Sequence, residues 1–541
     1  MRLDRPSSAT WLLLAASTIP ALTLLVPSLD IGTARHVPDD ALFYNVVARN
    51  ILAGLGSTSD GLGVTNGYHP LWMACVLVFE ALPGRGLAWE LLALLGLNTL
   101  SVLLLRAWLQ PRVGAPVALA VALLATAVPS TFRLMWSGME SSLALAALLG
   151  LLLAIDAARA GRDRWAVPLL LAVLVAARLD GVLAMPGLAW IGWHLQRGTA
   201  APAEPTLSRV GRLLRWHGPT LVLLALYAAW NQRTFGVPIP ISGLIKRLPP
   251  TAPLTLDVGY WHHAWQRFGL LVDATALRGA TTSLAVKLGL GAHLGALHAA
   301  RICGLVMAWL VCLRALRRQR PDDASLQALL LVLTPHLAYY TLLQRDSWST
   351  QWARGPELVL FAVLIGTALA WLARSRPALA RLAARTALPA VLVGFAAWRM
   401  TQPAVIKDFR VAWADFQAGV ETLQRHAATD EPVLSRNIGL LGYHAHRRVV
   451  SRDGLLNSVA YREQALHRGQ LRPYLRERGV RWLVEAIPPR GDAVGHLLRA
   501  VPGLQRPEVE VIAVIGPDAA TAAATNRYAV ARLRWSAEGA P

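Results

Sequence analysis

The sequence predicts a polytopic α-helical membrane protein with a soluble α/β domain at its C-terminal end. Three observations predict it. Apolar runs of roughly 15–20 residues recur from residue 10 to about residue 400, each near the length that crosses a hydrocarbon core of about 30 Å. Of the 541 residues, 55% are hydrophobic, and mean hydropathy is +0.42. Beyond residue 402, short apolar stretches alternate with turns and charge. The expected domains are 1–401 in the membrane, with a first outer loop over 30–68, and 402–541 outside it.

The net charge of +21 invites a nucleic-acid reading, which fails on distribution. Three lysines, Lys246, Lys287 and Lys407, stand among 53 basic residues, and many arginines lie in short loops between apolar runs. That is the charge bias that sets orientation in a membrane. The first run, "TWLLLAASTIPALTLLVPSL", follows "MRLDRPSS" without a small-residue cleavage site and reads as a retained anchor. Cys75, Cys303 and Cys312 sit within apolar runs, with neither a disulfide framework nor metal-ligand spacing. No cofactor and no metal is expected.

Loop charge threads the chain. With Arg2 and Arg5 in the cytoplasm, residues 30–68 lie outside. The run "HPLWMACVLVFEAL" (69–82) is about 21 Å long as a helix, too short to cross. Read as re-entrant or interfacial, it puts Arg159, Arg162, Arg164, Arg197, Arg209, Arg212 and Arg215 inside, together with "LRRQR" (316–320) and "ARSRPALARLAAR" (373–385). About eleven crossings result. "LMWSGMES", "ARLDG", "FGVPIPISGLIK", "QRDSWSTQWARGPE" and the C-terminal portion then lie outside. There "EVEVIAVIG" (508–516) reads as a strand.

The polar residues of interest share this outer face. Asp39 and Asp40 open "DDALFYNVVARNILAG", in which Phe43, Val46, Val47 and Ile51 form one stripe, as in a helix resting on the membrane surface. Acids suit the first turn of a helix, and a carboxylate in a polar, partly dry pocket can serve as a general base. In "SDGLGVTNGYHPLW", Asp60, Asn66, Tyr68 and His69 suit sugar or acceptor binding through hydrogen bonds and ring stacking, or else an interfacial anchor. Glu140 has no local counter-ion, whereas Arg178 and Asp180 can neutralise each other. In "VPIPISGLIK", Ser242 supplies a donor and Lys246 a point charge for a lipid phosphate. Asp453 and Asn457 in "SRDGLLNS" suit either acceptor binding or a plain turn.

In order, "PDDALFYNVVARN", "TNGYHPLW", "GMES", "RLDG", "FGVPIPISGLIK" and "GLLGYHAHRRVVSRDGLLNS" resemble the GT-C superfamily of integral membrane glycosyltransferases. Its relatives include protein O-mannosyltransferases, lipid A aminoarabinose transferases and the mycobacterial terminal arabinofuranosyltransferase. The resemblance implies a GT-C-like transferase of the bacterial inner membrane, active on the periplasmic side. It implies a polyprenyl-phosphate sugar donor and an envelope glycan, lipid or protein acceptor. It points to Asp39 as base with Asp40 supporting, to Glu140 as a second acidic position, and to Lys246 at the donor phosphate. The segment "WSTQWARGPE" lacks the tyrosines of the relatives, which bears on Trp348, Trp352 and Arg354. The mechanism expected is an inverting displacement, with Arg178 or Arg354 assisting Lys246. The rival readings are a transporter or flippase of lipid-linked sugars and a non-catalytic envelope assembly protein.

Overall fold

The structure, a computed structural model, describes residues 37–84, 86–162, 165–195, 205–247, 257–272, 323–345, 353–378, 405–406, 411–516 and 525–535, with isolated positions between 296 and 394. The first apolar run and several expected crossings lie outside these residues. The chain divides into two units, one of Met1–Thr23, Leu92–Ala225 and Lys246–Thr401, the other of Leu24–Leu91, Leu226–Ile245 and Gln402–Pro541.

Long apolar helices dominate the first unit. Four helices among the described residues, Gly86–Val113, Ser141–Arg159, Ala324–Leu343 and Gly355–Ser375, are long and apolar enough to cross a membrane. Shorter apolar helices cover Pro70–Ala81, Ala115–Ala127 and Ala166–Ala177. Leu169, Trp190, Leu221, Val222 and Trp371 are exposed, as expected of side chains facing lipid, where apolar surface carries no penalty. The chain thus combines several apolar helices of membrane-crossing length with a sheet-bearing α/β portion.

One buried arginine ties three of these helices together. Arg112, in the last turn of Gly86–Val113, bonds Asp156 at 3.0 Å and Asp323 at 2.7 Å. Its Nη2 also donates to Ser325 Oγ at 2.6 Å, and its guanidinium lies 4.3 Å from the Trp108 ring. Asp323 in turn caps the Ala324–Ala338 helix by accepting the Leu326 N–H at 3.0 Å. Charge and capping thus end three helices at one node. Pro335 interrupts the ladder of that helix, which continues as one π-helical turn, Tyr339–Leu343. Such turns turn backbone carbonyls away from the regular ladder.

The second unit is built on a sheet. A two-residue ribbon, β1 (Val405–Ile406) and β2 (Val411–Ala412), precedes it. Then come β3 (Val433–Ser435), β4 (Val449–Ser451), β5 (Trp482–Ile487), β6 (Val509–Ile515) and β7 (Arg527–Leu533), ordered β4-β3-β5-β7-β6. β3 is parallel to both β4 and β5, whereas β7 is antiparallel to β5 and β6. The parallel strands are buried on both faces, as helices on each side require. Tyr461, Tyr474, Leu475, Leu483 and Leu497 form the core.

The Asp39–Leu52 helix belongs to this unit and is buried nearly all round, from Asp39 to Ala48. It packs on the Ile438–Ala445 helix at two glycines. A Cβ on Gly439 would lie 2.0 Å from the Asp39 carbonyl oxygen, and one on Gly442 would lie 2.9 Å from Val46 Cγ2. Phe43 and Val46 therefore face protein, which corrects the expectation of a stripe resting on lipid: the periodicity identified a buried face without identifying its partner. Arg49 holds the helix to Pro70–Ala81 through Glu80 at 3.0 Å, and its guanidinium lies 3.9 Å from the Tyr443 ring. Pro70–Ala81 has 12 residues, about 18 Å of helix.

Candidate active site

In the second unit Asp39 stands at a helix N-terminus. Its carboxylate accepts the backbone N–H of Leu440 at 2.7 Å, the third residue of the Ile438–Ala445 helix. The first N–H groups of a helix have no intrahelical acceptor, and the dipole there favours an anion. Asp39 is 3% exposed, whereas Asp40 is half-buried. Asn437, the N-cap of that helix, is fully buried and neither polar atom of its side chain has a hydrogen-bond partner. The buried Tyr528 hydroxyl likewise lacks one. Burial, then the charges of Glu485 and Asp39, push the Tyr528 phenol well above its ordinary range.

Three loops of this unit converge. Asn66 donates to Asn231 Oδ1 at 3.2 Å and accepts the Ile241 N–H at 2.9 Å, tying residues 57–67 to "VPIPISGLIK". Ser59 Oγ donates to the Leu456 carbonyl at 3.0 Å, and a Cβ on Gly67 would lie 2.3 Å from the Leu455 oxygen. Asp60, Asn66, Tyr68, His69, Ser242, Asp453 and Asn457 are thereby gathered in one unit. Most of their polar atoms hold the loops themselves. Asp60 accepts the N–H groups of Leu62 and Gly63 at 2.9 and 3.3 Å, and Tyr68 bonds Ser57 Oγ at 2.8 Å. Burial raises both side chains above their ordinary pKa. His69 precedes Pro70 at the helix start, and its N–H donates to the Tyr44 hydroxyl at 3.3 Å. Asn457 bonds both backbone groups of Ser451, at 2.8 and 2.9 Å, and Asp453 accepts the Leu455 N–H at 3.2 Å. That is ordinary turn chemistry.

The first unit carries a second polar group. Arg178 Nη1 donates to Glu140 Oε1 at 2.6 Å, so Glu140 does have a counter-ion, 38 positions away. The expectation that it lacked one counted only sequence neighbours. Arg178 also grips Asp180 with two bonds, at 3.1 and 3.2 Å, and reaches the Tyr340 hydroxyl at 3.1 Å. Tyr340 in turn donates to Asp180. One turn back, His336 Nδ1 is 2.8 Å from Glu357 Oε1. Glu357 is fully buried, and its Oε2 has no hydrogen-bond partner. The sequence reading passed over His336 and Glu357. Ionisable residues inside the apolar runs "LLLVLTPHLAYY" and "GPELVLFAVLIG" were the available signal.

A basic group lies at the π-helical turn. Arg267, 3% exposed, donates through Nε to the Thr341 carbonyl at 2.9 Å. Its Nη2 and the Thr341 hydroxyl are buried and unpartnered. Tyr260, from the same Val258–Val272 helix, donates to the Leu342 carbonyl at 2.7 Å. Arg247 bridges Gln344, and Arg345 donates its N–H to the Lys246 carbonyl at 2.7 Å, so the backbone carrying Lys246 and Arg247 runs beside Gln344 and Arg345. Among the described residues the Arg267 Nη2 and the Thr341 hydroxyl have no acceptor, and a buried guanidinium favours an anion there. Arg354 stands at the N-cap position of the Gly355–Ser375 helix without a side-chain cap bond; Trp348 and Trp352 lie outside the described residues. Among the described residues no group of three or more His, Cys, Asp or Glu side chains is spaced to hold a metal ion.

No family model and no curated protein matches the sequence. Solved structures do match. ArnT from Cupriavidus metallidurans bound to undecaprenyl phosphate aligns with a TM-score of 0.52 at 13% identity, covering 97% of this chain and 98% of that chain. Its apo state gives a TM-score of 0.54. The archaeal oligosaccharyltransferase AglB from Archaeoglobus fulgidus, with an inhibitory peptide and a dolichol-phosphate, gives 0.50 at 14% identity, covering 88% and 69%. Identity at this level speaks for the fold alone: the chain shares the fold of ArnT and AglB.

Proposed function

We propose that the protein is a GT-C-type glycosyltransferase of a bacterial inner membrane. It moves a sugar from a polyprenyl-phosphate donor to an envelope glycan, lipid or protein acceptor on the periplasmic side. The observation that carries this reading is the likeness, over nearly the whole of both chains, to ArnT holding undecaprenyl phosphate.

Asp39 takes the proton of the acceptor hydroxyl, with the Leu440 N–H fixing the orientation of its carboxylate. The acceptor oxygen attacks the anomeric carbon from the face opposite the leaving group. The bond between that carbon and the phosphate oxygen breaks, and polyprenyl phosphate departs with the electron pair. Its charge is met by Lys246, the cation to which the sequence resemblance points; Arg267, whose Nη2 has no partner among the described residues, is a further candidate. Arg354 remains a further cation for that role. Arg178 is committed to Glu140 and Asp180, so we place it in support of those acids and not on phosphate. The leaving phosphate is already ionised, so no general acid is needed.

The test is release of free polyprenyl phosphate from a panel of polyprenyl-phosphate sugars by purified protein in nanodiscs, with crude envelope acceptors. Release that Asp39→Asn abolishes supports the transferase. The buried His336–Glu357 pair in apolar helices is what a transporter of lipid-linked sugars would also need. Movement of labelled lipid-linked sugar across the bilayer without release would favour that reading instead.

A further inference from the structure

We infer that Asn437 is a positioning residue for the proposed base, a reserve cap that takes the Leu440 N–H when Asp39 gives it up. The word base rests on the transferase reading; the exchange of caps does not.

A helix N-cap side chain ordinarily accepts the N–H of the second or third residue that follows, and asparagine is among the best at it. Asn437 holds the N-cap of the Ile438–Ala445 helix but makes no such bond. The N–H of the third residue, Leu440, goes instead to Asp39 Oδ1 at 2.7 Å. Packing admits this guest: a Cβ at Gly439 would lie 2.0 Å from the Asp39 carbonyl oxygen and 3.0 Å from Phe43 Cδ1. The Asp39 backbone thus lies against the first turn because residue 439 has no side chain.

The displaced amide is left over. Asn437 is fully buried, and among the described residues neither Oδ1 nor Nδ2 has a hydrogen-bond partner. Burying an amide without bonds is costly, and a leucine of similar size would fill the place at lower cost. The amide is therefore suited to a second arrangement, in which it does accept. Backbone bonds hold the residue on both sides: its N–H donates to Ser435 Oγ at 3.0 Å, and its carbonyl accepts the Leu441 N–H at 2.9 Å. Its φ of −89° and ψ of 57° lie near the inverse γ-turn minimum. The exchange moves ψ into the extended range that capping residues hold, a change at one residue.

Protonation decides which cap wins. An ionised Asp39 holds the helix N-terminus through a charge-assisted bond and the helix dipole. Once it has taken the acceptor proton it is neutral, and both advantages over an amide oxygen are gone. Asn437 Oδ1 then accepts the Leu440 N–H, and Asp39 is released to pass its proton to water. The returning carboxylate retakes the site. One proton moves, from acceptor hydroxyl to Asp39 to water, and Asn437 exchanges only a hydrogen bond. Asp40 on the same helix, and Tyr528 on β7, whose phenol feels both Asp39 and Glu485, are titratable groups around it.

The test is amide hydrogen exchange at Leu440, read by mass spectrometry on full-length protein in nanodiscs. Asn437→Leu alone should leave protection of that amide unchanged. In the Asp39→Ala background the same change should lower protection about fivefold, the worth of one cap. Asp39→Asn, isosteric with the neutral acid, guards against poor folding of the alanine variant; there Asn437→Leu should lower protection by a smaller factor. Protection that ignores residue 437 in both Asp39 backgrounds overturns the inference, and so does loss of protection in Asn437→Leu alone. With an active donor in hand, Asn437→Leu should spare the first turnover and slow later ones about fivefold. Equal slowing of both overturns its part in the reaction. Exchange is read without turnover, so failure of the transferase reading and failure of the reserve cap are separate outcomes.

Discussion

Asp39 and Leu440 are joined, carboxylate to backbone N–H, at 2.7 Å across 401 positions of sequence. The bond gives Asp39 a structural duty beside its proposed chemical one, and the two are separable by side-chain choice.

Asp39→Asn keeps an oxygen for the Leu440 N–H but removes the base. We expect its thermal midpoint to stay near that of the unaltered protein while sugar transfer falls by about a hundredfold or more. Asp39→Ala should lose both, with a stability cost of about 1–3 kcal/mol. Full transfer activity in the asparagine variant would remove Asp39 from the chemistry.

Arg267→Met removes a buried guanidinium whose Nη2 has no hydrogen-bond partner among the described residues. Stability should hold or rise, while the KM for the donor climbs about tenfold or more. Arg267→Lys, which keeps charge but not the fork, should fall between. An unchanged donor KM in both variants would assign Arg267 to scaffolding alone.

Arg178→Met should do the opposite to the fold. It strands Glu140 and Asp180, at a cost of about 3–5 kcal/mol. Adding Glu140→Gln and Asp180→Asn should recover part of that loss, as read by thermal melting in nanodiscs.

Gly439→Ala places a Cβ 2.0 Å from a backbone oxygen, which cannot move as a flexible side chain would. We expect a loss of about 1–3 kcal/mol or more. Gly211→Ala, on the Thr206–Phe235 helix with nothing within 4 Å, should be neutral or stabilising by about 0.5–1 kcal/mol.

Asp60 sets a pH dependence. Burial raises its pKa above the ordinary 3.8, against the lowering effect of the bonds from Leu62, Gly63 and Thr58. The folded state therefore binds more protons than the unfolded state above pH 3.8, so stability falls as pH rises through the raised value. Asp60→Asn should gain thermal midpoint relative to the unaltered protein as pH goes from 4 to 7. A difference constant over that range would show that Asp60 titrates normally.

The long apolar runs and the strand at 508–516 were legible because they depend on local period and length alone. The ordered motifs pointed to the fold only through their resemblance to a known family. What was not legible depends on partners distant in sequence. Glu140 seemed to lack a counter-ion because Arg178 is 38 positions away. The Asp39–Leu52 helix read as a surface helix because its partner glycines lie some 400 positions on. His336 and Glu357 were hidden singly in apolar runs, and only the fold makes them a pair. Arg267 looked like one arginine among many until its burial, with an Nη2 that has no partner among the described residues, set it apart.

The Asp39–Leu440 bond also dictates an order of events during synthesis. The helix bearing the proposed base is translated hundreds of residues before the glycine-bearing helix that receives it. At ordinary elongation rates the wait is on the order of 20–80 s. Through that interval the nascent polypeptide carries the Asp39–Leu52 helix without its seat, which is complete only when the last quarter of the chain emerges. A chain stopped near residue 401 would leave the Asp39 carboxylate and the Asp39–Leu52 helix without the Ile438–Ala445 helix that receives them.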